Sequence, residues 1–98
     1  MQILLITQEP PLTAEAVATG DAIRTAQLEG ALSRAGHAVT QVWLDKRDDN
    51  HPRAFHNRDE LQGVRDSRQP DAILVAYWEL LELLPFDLTQ PVIVDFVA

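Results

Sequence analysis

The sequence predicts an α/β domain with a parallel sheet of about four strands and helices packed on both faces. Three short runs, at residues 3–6, 72–76 and 92–94, are apolar without alternation, as expected of strands that are covered on both faces. Helical patterns alternate with these runs along the chain. Alternating strands and helices are typical of right-handed βαβ units, which build a parallel sheet.

Size and composition fit one globular domain. The chain has 98 residues, 46% hydrophobic and 23% charged, which is ordinary for a domain with its own core. The net charge of −7 argues against nucleic acid and anionic membranes as partners, since both attract Lys/Arg patches. No cysteine is present, which excludes disulfides and thiolate metal sites.

The chain carries no pattern of a targeting or membrane segment. No apolar run approaches the roughly 20 residues that cross a bilayer. The first residues lack the basic region of a signal peptide, and the apolar run that follows is too short for one. We therefore expect a cytoplasmic protein without a transmembrane segment.

The first helix is predicted from Asp21 to about Ala35. Its apolar residues share one face at helical spacing, and they are Leu28, Ala31, Leu32 and Ala35. Gly36 is a natural residue to follow the end of a helix. The remaining predicted elements are a strand over 37–44, a polar loop over 45–57, a helix over 58–68, a short helix over 79–84 and a strand over 92–96.

The strand at residues 3–6 is expected at the centre of the sheet, between the strands at 37–44 and 72–76. Its apolar run is unbroken, whereas the second strand is mixed in polarity. A central strand is the one most completely covered. An antiparallel pairing among these strands would contradict the predicted architecture.

The carboxyl edge of the sheet is the expected place for a ligand, because open parallel sheets bind ligands where the strand order reverses. That edge carries the loop over 7–20, Tyr77, Trp78 and Glu79, and Asp95 near the end of the last strand. The two aromatic rings suit a sugar or a nucleobase, or they cover the end of the core. We expect Glu79 either to contact a sugar through its polar oxygens or to be a carboxylate that the helix dipole stabilises at a helix N-terminus.

Arg24 and Gly20 are the candidate anion contacts at this edge. Arg24 stands four residues before Leu28, in line with the apolar stripe and in the first turn of the helix. A guanidinium beside a helix N-terminus can receive a phosphate or carboxylate. The alternatives are an internal ion pair with Glu79 or Asp95 and a side chain that extends out to solvent. Gly20 allows close approach of a phosphate to the backbone, or it is a plain turn glycine.

No metal or cofactor site is predicted. His51 and His56 lie among aspartates in the polar loop, but their spacing matches no metal signature. Neither a GxGxxG sequence nor a Walker loop occurs in the chain. The first strand is followed by Thr7-Gln8-Glu9 rather than by paired acidic residues, which disfavours a phosphoacceptor receiver domain.

Several stretches together resemble the opening of family 4-type glycosyltransferases, which have the two-lobed GT-B architecture. The matching features are the first strand at 1–8, the glycine at Gly20, and the helix that ends in Gly36-His37 before a second strand. The later strands with their leading prolines, at 70–74 and 91–95, also match. The similarity extends over nearly the whole chain, although each motif is short.

The resemblance implies a single Rossmann-like domain over residues 1–98 that forms the N-terminal half of a two-domain enzyme. In the family this lobe mainly holds the acceptor, here a glycan or lipid-linked sugar, while the C-terminal lobe holds most of the nucleotide-sugar donor. Gly20 corresponds loosely to the family's first-loop glycine. Asp95 is the nearest candidate for the catalytic residue that often ends the fourth strand in the family.

The same resemblance predicts that the chain is a fragment, inactive as a transferase by itself. The family's donor-binding motif would lie beyond Ala98. The alternative is a non-catalytic Rossmann-like or flavodoxin-like module that binds a small ligand or a protein. We also expect self-association, as a homodimer, through apolar surface that no helix covers.

Overall fold

The computed structural model describes residues 1–11, 20–46 and 51–94, and it confirms the predicted α/β class. The elements occur in chain order as β1 (Gln2–Thr7), α1 (Gly20–Arg34), β2 (Ala38–Leu44), β3 (Ala54–Phe55), α2 (Arg58–Arg68), β4 (Ala72–Val75), a 3₁₀-helix (Trp78–Leu83) and β5 (Val92–Val94). In the described part of the chain, every helix is too short or too polar to cross a bilayer.

The five strands form one parallel sheet in the order β3-β2-β1-β4-β5. The predicted central position of β1, between β2 and β4, is confirmed. Its neighbours pair in register, with Leu5 opposite both Gln41 and Leu74. An unbroken apolar sequence therefore belongs to the strand with two paired neighbours and two covered faces.

The prediction of about four strands was one short, because β3 lies inside the segment read as a polar loop. This strand has two residues, and the aromatic side chain of its Phe55 is fully buried. Backbone bonds at the ends of its pairing with β2 run from the Trp43 N–H to the Arg53 carbonyl at 3.3 Å and from the Asp45 N–H to the Phe55 carbonyl at 2.8 Å. A strand of two residues is too short to show the alternation of apolar and polar residues by which strands are predicted from sequence.

Successive side chains of β1 point to opposite faces of the sheet and build two cores. Leu4 and Ile6 face the side covered by α2 and the 3₁₀-helix, where Leu61 and Leu80 are buried. Ile3 and Leu5 face the side covered by α1, whose Leu28 and Leu32 pack on them. The domain therefore has three layers, with the sheet in the middle.

The buried face of α1 differs from the predicted stripe. Leu28 and Leu32 pack on the core as predicted, but Ala31 and Ala35 are exposed and Thr25 is buried. The helix thus contacts the sheet along Thr25, Leu28 and Leu32, at spacings of three and four residues. The small alanine side chains lie to one side of that contact.

The other predicted elements need smaller corrections. The helix predicted over 58–68 matches α2 at both ends. The short helix predicted over 79–84 is a 3₁₀-helix that begins one residue earlier, at Trp78. The last strand is described as far as Val94, so its predicted extension to residue 96 lies outside the described residues.

Helix α2 is capped at both ends and is joined by an ion pair to the segment before β5. Asn57 caps its N-terminus by accepting a hydrogen bond from the Glu60 N–H at 2.9 Å. Arg65 is buried, and it donates to the Asp87 carboxylate at 2.9 Å and to Asp66 at 2.7 Å. The hydrogen bond with Asp87 raises the pKa of Arg65, against the opposing effect of burial.

Strand β5 leaves apolar surface uncovered at one edge of the sheet. Ile93 is 59% exposed and Val92 is 37% exposed. Among the described strands, β5 pairs with β4 alone, and an exposed apolar edge strand is a template for pairing with another chain.

We expect the chain to self-associate through β5. Ile93→Thr should shift the assembly towards monomer, because it removes the most exposed apolar side chain of that edge. Sedimentation velocity over a range of concentrations measures this, with Ile23→Thr, an exposed isoleucine of α1, as the matched control. A wild-type chain that stays monomeric at high concentration would contradict the prediction.

Candidate functional site

The carboxyl edge of the sheet carries a crevice at the point where the strand order reverses. The chain passes from β1 to β2 on one side and later to β4 on the other side of β1, the arrangement that opens binding crevices in α/β proteins. The crevice has a volume of about 380 Å³. We call it the carboxyl-edge crevice; its lining residues are Gln8, Leu44, Lys46, Trp78, Glu79, Leu80, Glu82 and Leu83.

A hydrogen bond between Lys46 and Gln8 forms one wall of the crevice. The Lys46 ammonium donates to the Gln8 side-chain oxygen at 3.3 Å. The same two residues also line a second, smaller pocket of about 100 Å³, together with Trp43 and Asp45. Gln8 and Lys46 therefore lie between the carboxyl-edge crevice and the smaller pocket, at the ends of β1 and β2.

The opposite wall is the 3₁₀-helix, whose three residues per turn divide it into three stripes. Leu80 and Leu83 lie three residues apart and pack on the core below α2. The other two stripes contain exposed residues, which are Glu79 and Glu82 on one and Trp78 and Leu81 on the other. The helix thus presents carboxylates and apolar side chains side by side at the rim of the crevice.

Of the predicted aromatic pair, only Trp78 faces solvent. Its side chain is 49% exposed and lines the crevice. Tyr77 is half-buried against the core, with its ring centroid 6.2 Å from that of Trp78. Tyr77 therefore covers the end of the core, whereas Trp78 is half-exposed at the crevice.

Residues 7–9, at the carboxyl end of β1, are held by a buried polar network. The Thr7 hydroxyl donates to the Glu9 carbonyl at 2.7 Å, and the Gln41 amide donates to both the Thr7 hydroxyl and the Glu9 carbonyl, at 3.1 and 3.3 Å. Thr7 and Gln41 are almost fully buried. Buried polar groups hold their partners firmly, because breaking the bonds leaves them unsatisfied. This network sets the position of Gln8.

A histidine between two carboxylates fixes the ends of β2 and β3. His56 Nε2 lies 3.2 Å from an oxygen of Asp45, whose side chain is 2% exposed, and Nδ1 lies 2.9 Å from Glu60. Glu60 also accepts from the His56 backbone N–H at 2.7 Å. Both ring nitrogens are thus engaged. Within the ranges that the structure describes, no set of three His, Cys, Asp or Glu is arranged to hold a metal ion.

The predicted site residues are only partly brought together. Trp78 and Glu79 line the crevice, while Gly20 is the first residue of α1. Arg24 is exposed rather than set in the buried face of α1, because that face runs through Thr25; it makes contacts but does not line the crevice. The candidate Asp95 lies outside the described residues.

Three polar lining residues were not named individually from the sequence: Lys46, Glu82, and Gln8, which belongs to the loop over 7–20 predicted at this edge. Lys46 had a usable signal, since it follows the second predicted strand and so lies at the carboxyl edge. Glu82 lies on the same side of the helix as Glu79 only because a 3₁₀-helix has three residues per turn. Gln8 gave no signal by residue type. Comparison with known proteins adds no relative, because no protein-family model, no curated protein and no solved structure matches this chain.

Proposed function

We propose that this domain is the N-terminal, mainly acceptor-binding lobe of a glycosyltransferase that uses a nucleotide-sugar donor. The acceptor, a glycan or a lipid-linked sugar, lies in the carboxyl-edge crevice. The observation that carries the proposal is the half-exposed Trp78 ring beside Glu79 in a crevice at the strand-order reversal.

The lining chemistry suits a sugar ring. A ring carries apolar C–H faces and polar hydroxyl groups, so it needs an aromatic surface and hydrogen-bonding side chains together. Trp78 supplies the aromatic surface, and Glu79 supplies carboxylate oxygens that accept from hydroxyl groups. Lys46, on the opposite wall, supplies donors. Leu44 and Leu80 add apolar lining.

The sequence resemblance supports the assignment to a transferase lobe. The matched stretches include β1, the end of α1 with Gly36-His37, and the beginnings of β4 and β5. In such an enzyme this domain holds the acceptor, and the donor is held mostly by a second lobe. Self-association as a homodimer and a cytoplasmic location belong to the same proposal.

The test is a titration of the chain with a panel of neutral monosaccharides and oligosaccharides, followed by ¹H–¹⁵N NMR. The sequence contains two tryptophans, so the two indole N–H signals report separately on the exposed Trp78 and the buried Trp43. We expect a saturable shift at Trp78. Trp78→Ala should weaken binding about tenfold, as loss of a stacking ring does.

Phe86→Ala is the matched control, since Phe86 is 87% exposed and does not line the crevice. It should leave the affinity unchanged. Absence of binding to every sugar, or an equal loss in both variants, would overturn the proposed site. Binding of nucleotide alone would favour the alternative of a small-ligand module.

A further inference from the structure

A groove between α2 and the β2–β3 edge lies apart from the carboxyl-edge crevice and has different chemistry. Its volume is about 370 Å³. Val42, Ala54 and Val64 supply apolar lining. Arg53, Ser67 and Arg68 supply the polar lining on both flanks. None of these residues lines the crevice.

Two guanidinium groups of this groove lack a carboxylate partner among the described residues. Arg65 of the same helix is bound by Asp66 and Asp87. In the described ranges, no ion pair forms at Arg53 or Arg68.

The one carboxylate in the groove lining is already engaged. Glu60 accepts from the His56 backbone N–H at 2.7 Å and contacts its Nδ1 at 2.9 Å. Both oxygens of the Glu60 carboxylate contact His56, at 3.2 and 2.9 Å from its Nδ1. The groove lining thus combines this engaged carboxylate with the two guanidinium groups of Arg53 and Arg68.

Arg53 is held in place by an aromatic ring. Its guanidinium carbon lies 5.4 Å from the centroid of the Trp43 ring, a cation–π distance. Trp43 is itself buried and packs beside His51, at 4.8 Å between centroids. The Trp43 ring thus contacts the Arg53 guanidinium, and the guanidinium has a planar set of donors for an oxyanion.

We infer that this groove binds a small ligand with one oxyanion, a phosphate or a carboxylate, joined to an apolar body. Arg53 and Arg68 bind the oxyanion, assisted by the Ser67 hydroxyl, since guanidinium forks match phosphate and carboxylate oxygens. Val42, Ala54 and Val64 contact the apolar body. The inference does not depend on the proposed transferase function.

The test uses four probes: phenyl phosphate, benzoate, inorganic phosphate and benzyl alcohol. Binding is followed by the Trp43 indole signal and the arginine Nε–H signals in ¹H–¹⁵N NMR. We expect saturable binding of phenyl phosphate or benzoate, and at least tenfold weaker binding of the two probes that lack either the oxyanion or the ring. The stronger of the first two identifies the oxyanion.

Variants locate the site. Arg68→Gln and Arg53→Gln should each weaken binding about tenfold, because each loses a charge-assisted contact. Arg34→Gln is the matched control, an exposed arginine in the last turn of α1, and should bind as wild type. Should Arg53→Gln fail to fold, Arg68→Gln carries the test alone. No saturable binding, equal binding of benzyl alcohol, or an equal loss in Arg34→Gln overturns the inference.

Discussion

Phe55→Ala is expected to lower the free energy of unfolding by about 3–5 kcal/mol. Phe55 is fully buried and belongs to the core cluster with Leu4, Ile6 and Leu61. Its removal takes away apolar contacts and leaves a cavity between β3 and α2. The two residues of β3 offer little else to hold that edge, so the loss should also release β3 from β2. A domain of this size has only about 5–15 kcal/mol of stability.

Urea denaturation followed by circular dichroism measures this loss. Phe86→Ala is the control, since the Phe86 ring is 87% exposed and contacts the Arg58 guanidinium at 3.9 Å. We expect it to cost less than about 1 kcal/mol, the value of an exposed cation–π contact. Similar losses in the two variants would mean that Phe55 is not a core residue.

Thr7→Val is expected to lower stability by about 1–3 kcal/mol and to weaken ligand binding in the crevice. The substitution keeps the shape of the side chain but removes the hydroxyl that bonds Glu9 and Gln41. The Gln41 amide then loses one of its two partners in a buried position. The loop after β1 loses a contact at Glu9, next to Gln8, so one wall of the crevice becomes less ordered.

Chemical denaturation and the sugar titration read the two effects separately. Thr40→Val is the matched control, a half-buried threonine of β2 on the opposite face of the sheet from Gln41. It should leave both the stability and the affinity near wild type. Unchanged stability in Thr7→Val would show that the network does not hold the loop. Unchanged affinity together with lower stability would separate the network from the crevice.

Much of the fold was predictable because its signals are local. The unbroken apolar residues of β1 and β4 marked strands covered on both faces, and the helix predicted over 58–68 has the same ends as α2. β3 was missed for a physical reason. Two residues carry no period, and only the packing of Phe55 and the backbone pairing with β2 make them a strand.

The candidate site was predictable only as a region. The rule for parallel sheets placed it at the carboxyl edge, and the two candidates Trp78 and Glu79 line the crevice there. Arg24 was not placed correctly, because the helical wheel gave no exact rotation of α1 against the sheet. A rotation of one residue moves the buried position to Thr25 and leaves Arg24 in solvent.

By itself, the sequence determined the α/β class, the central parallel strand and the approximate extent of the helices. These follow from periodicity, apolar runs and caps, which act between neighbouring residues. Only the tertiary structure decided which side chains meet across the carboxyl edge, such as Lys46 with Gln8, and which guanidinium groups lie without an acid. Those contacts depend on elements distant in the chain, whose approach is fixed by packing of the whole core.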